Sequence, residues 1–462
     1  MSARRVPIAA MAFLVMVSSG LFVLADESQP PRTIEIRPTS AEGLCEEEFV
    51  TRANALRAGD ELRLHAGIYS QDCARRIRGI RGTAQHPIVI RAAPGANPVL
   101  TRPRDSTGAY AENNLELEDV AYLVIRGLSL RGGTTGIRFL GANEHVTLED
   151  NEISYTDNNA IAMNSGDTDS FVIRHNHIHH TGLRPLSLGT TEGEGLYVGC
   201  HDGGCVASNH VIEWNYIHHL RGTSEGGNDG IEIKRGSYGI VIRDNVIHDT
   251  TIGTRFPCIF VYGGGPAPNL VDGNAVWHCG EAIQVASDAI IRNNLIVDSD
   301  VGITAAPHRQ VPNIRNVSIV NNTIHGHSEC LNIRWLGAQH MILANNAVYC
   351  PRTTAVDASG LDEPGVTVAE NLVEGDLRGP VALDGVGLRS GGQARAAFRN
   401  PGTMDYWPRP GGPLLGVGLR EFTPPLDFNG TRRVGRPDVG AYQAGGVPMN
   451  PGWHPRNSFK GE

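Results

Sequence analysis

From about Tyr122 onward the chain alternates apolar and polar residues in short runs, and each run breaks at an asparagine. The recurring units read "HVTLEDNEIS", "FVIRHNHIHH", "HVIEWNYIHH", "IVIRDNVIHD", "NLVDGNAVWH", "AIIRNNLIVD", "VSIVNNTIHG" and "MILANNAVYC". Alternation over four to six residues predicts strands rather than helices. The matching asparagines are Asn151, Asn176, Asn215, Asn245, Asn274, Asn294, Asn322 and Asn346, mostly 20 to 30 residues apart with one interval of 39. Asparagine tolerates a left-handed backbone and bonds its own turn, so it suits a sharp bend between strands. One bend per period with no helical segment between makes each period one coil of a solenoid. Stacked coils pair their strands in parallel and set the asparagines in a ladder.

Each coil carries a second strand that opens on a small residue or Cys: "GIRFL", "AIAMN", "GLYVG", "GIEIK", "CIFVY", "AIQVA", "GITAA" and "CLNIR". Alternation sends Ile231 and Ile233 inward, and Glu232 and Lys234 to the outer face. Registering these strands gives rows along that face. One row reads Arg138, Ala162, Tyr197, Glu232, Phe260, Gln284, Thr304, Asn332; a second reads Leu140, Asn164, Gly199, Lys234, Tyr262, Ala286, Ala306, Arg334. A third, just before the strand, holds Asn159, Glu194, Asp229, Pro257, Glu281, Val301 and Glu329.

On this repeat the chain closely resembles the right-handed parallel β-helix family over roughly residues 85 to 375. The implied fold is all-β: a single right-handed parallel β-helix with an N-terminal cap helix and an irregular C-terminal segment. Residues 33–100 form the cap and first coils, because "EEEFVTRANALRAGDELRLHAGIYSQ" reads as a short amphipathic helix followed by a strand. That stretch resembles the N-terminal cap of β-helix polysaccharide lyases, and an end coil needs such a cover for its open edges. Residues 101–375 are the solenoid. Residues 376–462 lose the repeat and turn Gly/Pro-rich, and "PLLGVG...DFNGTRRVGRPDVGAYQ" resembles the segment that closes secreted β-helix proteins.

Residues 1–25 carry Arg4 and Arg5, an apolar run and a small-x-Ala site at Ala25, the layout of a secretory signal peptide. The mature chain is then expected to be secreted or periplasmic, monomeric and not inserted in a membrane. A net charge of −9 without basic runs excludes a nucleic-acid partner. Eight cysteines in an exported chain point to disulfides. Pairing of sequence neighbours gives Cys45–Cys73, Cys200–Cys205, Cys258–Cys279 and Cys330–Cys350.

Of 40 basic residues only Lys234 and Lys460 are lysine. Around Lys234 the rows collect Glu194, Asp229 and Glu232 with Tyr197, Phe260 and Tyr262, and irregular loops at 181–194, 199–208 and 221–229 interrupt the same coils. Aromatic faces stack on sugar rings, and charged groups handle a substituent or the chemistry. A solvated solenoid face would also carry such residue types. "NDGIEIK" resembles the Asp-Gly-aromatic-x-x-Lys stretch of a pectate lyase family, where the Asp binds calcium; Asp229 matches it. The acidic-then-lysine order is also similar to the alginate lyase and chondroitinase B family, which implies Lys234 as base and Asp229 among the calcium ligands. That family's partner arginine falls near Val261 or Tyr262, leaving Arg255 in the preceding loop as its replacement.

The resemblance implies a lyase acting on an acidic, uronic-acid-containing polysaccharide. Lys234, Tyr262 and Arg255 are the catalytic candidates. Tyr197, Phe260, Gln284, Asn332 and Arg334 line the groove, and Glu194, Asp229 and Glu232 hold Ca2+. β-Elimination needs the uronate carboxylate neutralised and a proton removed beside it. A lysine can take that proton once nearby positive charge or desolvation favours the free amine, whereas arginine stays protonated. A uronic-acid C5-epimerase shares the proton abstraction, and a non-catalytic glycan-binding β-helix is the rival. The Asp-rich motifs of β-helix polygalacturonases are absent, which argues against two-carboxylate hydrolysis. His179, His218 and His248 fall at equivalent repeat positions and are expected to stack at a turn rather than bind zinc. Non-reducing peptide mapping of the secreted protein should return Cys45 and Cys73 in one linked peptide pair; free thiols at either position would break that assignment.

Overall fold

The computed structural model describes residues 30–38, 47–70, 75–223, 226–250, 256–380, 382 and 386–445. The signal segment, Cys45, Cys73 and Arg255 lie outside these residues.

The alternating runs form strands, and every coil stacks on the next in parallel. One sheet joins Thr33–Ile36 and Glu61–Leu64 to Val366–Ala369 through the first strand of each coil. A larger sheet comprises two further parallel ladders, which merge where Ala347–Ser359 runs unbroken through both. Three faces therefore enclose one apolar column. Ile173, Ile212, Ile242, Val271, Ile291 and Ile319 stack inward from the first face, with Ile231, Ile259, Ile283, Ile303 and Leu331 from another, all buried. The architecture is a parallel β-helix.

The asparagines form the expected ladder. Asn245 Oδ1 accepts the backbone N–H (3.0 Å) and Nδ2–H (3.0 Å) of Asn215. Its own Nδ2 donates to Ile212 O (2.8 Å) and to Asn274 Oδ1 (3.0 Å). The pattern runs from Asn151 to Asn371, one coil beyond the last asparagine the repeat had marked. One expectation is corrected. The left-handed residue is the one before each ladder asparagine: Asp150, His175, Trp214, Asp244, Asn293, Asn321, Asn345 and Glu370 all have φ between 51° and 57°. The bend turns at that residue, so the asparagine side chain points inward, where its amide satisfies buried backbone groups of its own coil and the preceding one.

The helix Glu47–Asn54 seals the N-terminal end with Phe49 and Ala53. The C-terminal segment folds back along the flank rather than only covering the last coil. Phe398, Tyr406, Leu414, Phe428 and Tyr442 pack on outward-facing Trp277, Val297 and Tyr349. Buried Arg433 ties it down, donating to Asn293 Oδ1 (3.1 Å) and Gly440 O (2.8 Å). Three disulfides match the sequence pairing: Cys200–Cys205 within one loop, and Cys258–Cys279 and Cys330–Cys350 between adjacent coils.

Histidines stack as expected, His179 on His218 at 5.3 Å, His218 on His248 at 5.2 Å, and His248 on Trp277 at 4.3 Å between ring centroids. Replacing Asn245 by Ala orphans the Asn215 N–H and the Ile212 carbonyl. Each buried unpaired group costs about 1–3 kcal/mol, so urea unfolding of Asn245→Ala should show a loss of at least about 2 kcal/mol.

Candidate functional site

The outward rows follow the register expected from the repeat. Tyr197 pairs with Glu232, Glu232 with Phe260, Phe260 with Gln284, Gln284 with Thr304, and Thr304 with Asn332. Pro257 pairs with Glu281, so Asp229 and Glu194 occupy the preceding rungs of that row. Gly230 opens the strand because a Cβ there would lie 2.5 Å from Cys258 O and from an Ile247 methyl group.

Three carboxylates converge in this way. One oxygen from each of Glu194, Asp229 and Glu232 lies within 4.8 Å of the others, and all three side chains are buried. Lys234 Nζ forms an ion pair with Glu232 Oε1. The ammonium also sits 4.5 Å from the Tyr197 ring centroid and 5.0 Å from that of Tyr262, a cation–π sandwich. Asn159 Nδ2 donates to Glu194 Oε2. Phe260 stacks on Tyr262 at 3.9 Å.

The charge does not balance. Among the described residues three carboxylates face one lysine, so full ionisation of these four would bury a net charge of −2 in a poorly solvated space. Burial first, then Glu232 and Glu192, push the Glu194 carboxyl well above the usual range. Burial and then Glu232 and Glu194 do the same to Asp229, against the pull of Lys234. Glu232 is also raised by burial, with Lys234 opposing. The same carboxylates and burial drive the Tyr197 and Tyr262 phenols far up, so both stay protonated.

The donor set fits a hard divalent cation. Asp229 Oδ1 and Glu232 Oε2 are buried without a hydrogen-bond partner. Gly227 leaves space that a Cβ would take, 2.2 Å from Glu194 Oε1. Several convergent carboxylate oxygens are what Ca2+ prefers.

The open groove expected from the sequence is roofed at Lys234, which is only 4% exposed. His308 packs edge-on against Phe260 (5.6 Å) and Tyr262 (4.8 Å), and Val311 joins the same apolar group. Gln310 Nε2 bonds His201 Nδ1 at 3.1 Å, joining the 306–311 loop to the loop closed by Cys200–Cys205. Sequence reasoning missed His308, His201 and Gln310. They lie in irregular loops more than 100 residues apart, outside any repeat.

The other candidates spread away from this cluster. Gln284 is two rungs from Glu232, and Asn332 two further. Arg334 lies four coils from Lys234, about 19 Å along the axis at the usual strand spacing, and is engaged by Asp357 at 3.0 Å. It belongs to a distal part of the face rather than to the lysine site.

A right handed beta helix region model matches residues 113–267 and 192–348, together about half of the chain. The chain belongs to the right-handed β-helix family. No curated protein matches its sequence. Among solved structures it is similar to the complex of XylC with xylose (11% identity, 89% of this chain and 98% of that one, TM-score 0.56). It is likewise similar to the A-module of the Azotobacter vinelandii mannuronan C-5 epimerase AlgE6 (15%, 74% and 92%, TM-score 0.52). An alginate lyase from Paenibacillus sp. str. FPU-7 aligns at 20% identity over 75% of this chain and 99% of that one, with a TM-score of 0.49. At these identities the likeness to the first two shows the fold alone. No helix among the described residues is long and apolar enough to cross a membrane.

Glu194 and Asp229 titrate above their unfolded values of 4.5 and 3.8. Above those unfolded values the folded chain holds protons that the unfolded chain has released, so stability falls as pH rises past about 4. Asp229→Asn removes one of the repelling charges. In metal-free buffer its melting temperature should exceed that of the parent at about pH 8 and converge with it near pH 4; calorimetry at the two pH values checks this.

Proposed function

We propose that the chain is an exported enzyme that cleaves a uronic-acid-containing polysaccharide by β-elimination. The observation that carries this reading is Lys234, held between two tyrosine rings and against three buried carboxylates. Lys234, once its ammonium has given up a proton, takes the C5 proton of the uronate as the free amine. The C5–H electron pair becomes the C4–C5 double bond, and the C4–O4 bond breaks with its pair on oxygen. The Tyr262 phenol, kept protonated by burial and its acidic neighbours, gives that oxygen its proton. Transfer from the lysine ammonium to the tyrosinate restores both groups. Glu194, Asp229 and Glu232 would hold Ca2+, which when bound supplies the positive charge that neutralises the uronate carboxylate. Arg255 is retained as a catalytic candidate, and Tyr197, Phe260, Gln284 and Asn332 as substrate-binding residues.

The roof over Lys234 must part for a polymer to reach it, and that burial favours a second reading, a non-catalytic glycan-binding β-helix. Incubation with alginate, pectate and chondroitin, followed by absorbance of the unsaturated product, separates the two. C5 inversion without a new double bond, seen by NMR, would instead identify an epimerase. Where activity is found, Lys234→Arg should lose about 10²–10⁴-fold in turnover, the usual contribution of a general base, and nearly as much as Lys234→Ala. Chelation of calcium should reproduce the loss caused by Asp229→Asn. Full activity in Lys234→Arg would remove the lysine from the mechanism.

A further inference from the structure

A second cluster of metal-ligating groups lies on another face of the helix, outside the lysine site. Glu152, His177 and His179 each place one ligand atom within 4.8 Å of the other two. They project from two neighbouring strands, Glu152–Ser154 and His177–His179, in which Glu152 pairs directly with His177. His179 Nε2 is 3.1 Å from Glu152 Oε1. On the next coil, His218 Nε2 stands 2.8 Å from His177 Nε2. Two imidazole nitrogens so close must share a single proton, since two lone pairs or two N–H groups would repel.

We propose that Glu152, His177 and His179 bind a borderline transition-metal ion, with zinc the natural occupant and His218 the fourth donor. Imidazole with one carboxylate suits zinc, nickel and copper and disfavours calcium. At Zn–N distances near 2.0 Å, tetrahedral donors lie about 3.3 Å apart. The Glu152–His179 and His177–His218 pairs already stand at 3.1 Å and 2.8 Å. Small ring rotations bring the two pairs around one ion, which takes the place of the proton shared by His177 and His218.

Outer contacts orient the donors, as in metal sites generally. Ser129 Oγ donates to Glu152 Oε2 at 2.9 Å, and His179 Nδ1 is engaged by His180 Nδ1 at 2.7 Å. The site opens to solvent, because the Glu152 side chain is 42% exposed. Among the described residues, the C-terminal segment covers this ladder only from Val246 onward. An ion here would pin three successive coils.

The test uses the full chain without a histidine tag, stripped by a chelator and titrated with zinc chloride in a calorimeter near neutral pH. One zinc per chain is expected, with a rise in melting temperature, and excess calcium should not displace it. His177→Ala/His179→Ala should weaken binding by at least about 100-fold, beyond the usual loss from an outer-contact mutation. Far-UV circular dichroism confirms that the variant is folded. If it is not, Glu152→Gln replaces it, with a loss of at least about tenfold expected. Absence of zinc uptake by the parent, or uptake unchanged in the folded variant, would overturn the site and leave a purely hydrogen-bonded stack.

Discussion

Coil-to-coil pairing at the strand spacing of about 4.8 Å is the constraint on which every other feature rests. A solenoid strand has no partner within its own coil, so each coil holds its shape only against the next. The asparagine ladder makes that contact obligatory at the bend. Each buried amide satisfies backbone groups of the preceding coil and bonds the next asparagine's side chain, from Asn151 to Asn371. A coil shifted by one residue would leave those groups unpaired and send the isoleucine column to the surface.

The same constraint concentrates charge. Side chains two residues apart along a strand, or at one register on adjacent strands, have no freedom to separate. Glu194 and Asp229, at one register, and Glu232 and Lys234, two residues apart, are held together in this way, and among the described residues Lys234 alone offsets the three carboxylates. Such an arrangement is costly in a buried space, and two orphaned oxygens remain within it. Fold stability alone gives no reason to keep it. A cluster that weakens the apo fold and suits a hard cation has the signature of a functional site.

The faces of the helix are used unequally. One bears the lysine cluster beneath two loops joined by His201 and Gln310. Another is occupied along its C-terminal half by the returning segment around Phe398, Tyr406 and Tyr442. The remainder of that face carries the imidazole stack, so oxygen-rich and nitrogen-rich clusters sit on separate parallel ladders of the larger sheet.

How much of this was legible depends on the range of the forces involved. The repeat determined the strands, their register and the inward column, because period-two alternation and an asparagine every coil act locally and recur; three disulfides followed from pairing sequence neighbours. The grouping of Glu194, Tyr197, Asp229, Glu232, Phe260, Lys234 and Tyr262 followed from register alone. The choice of the residue before each asparagine as the left-handed one needed the structure, since many residue types fill that position. Only the tertiary fold decided that His308 and Val311 roof the lysine, that Arg334 turns to Asp357, and that residues after 386 run back along the flank. Those contacts join irregular loops to distant coils, and no periodicity encodes a contact made once.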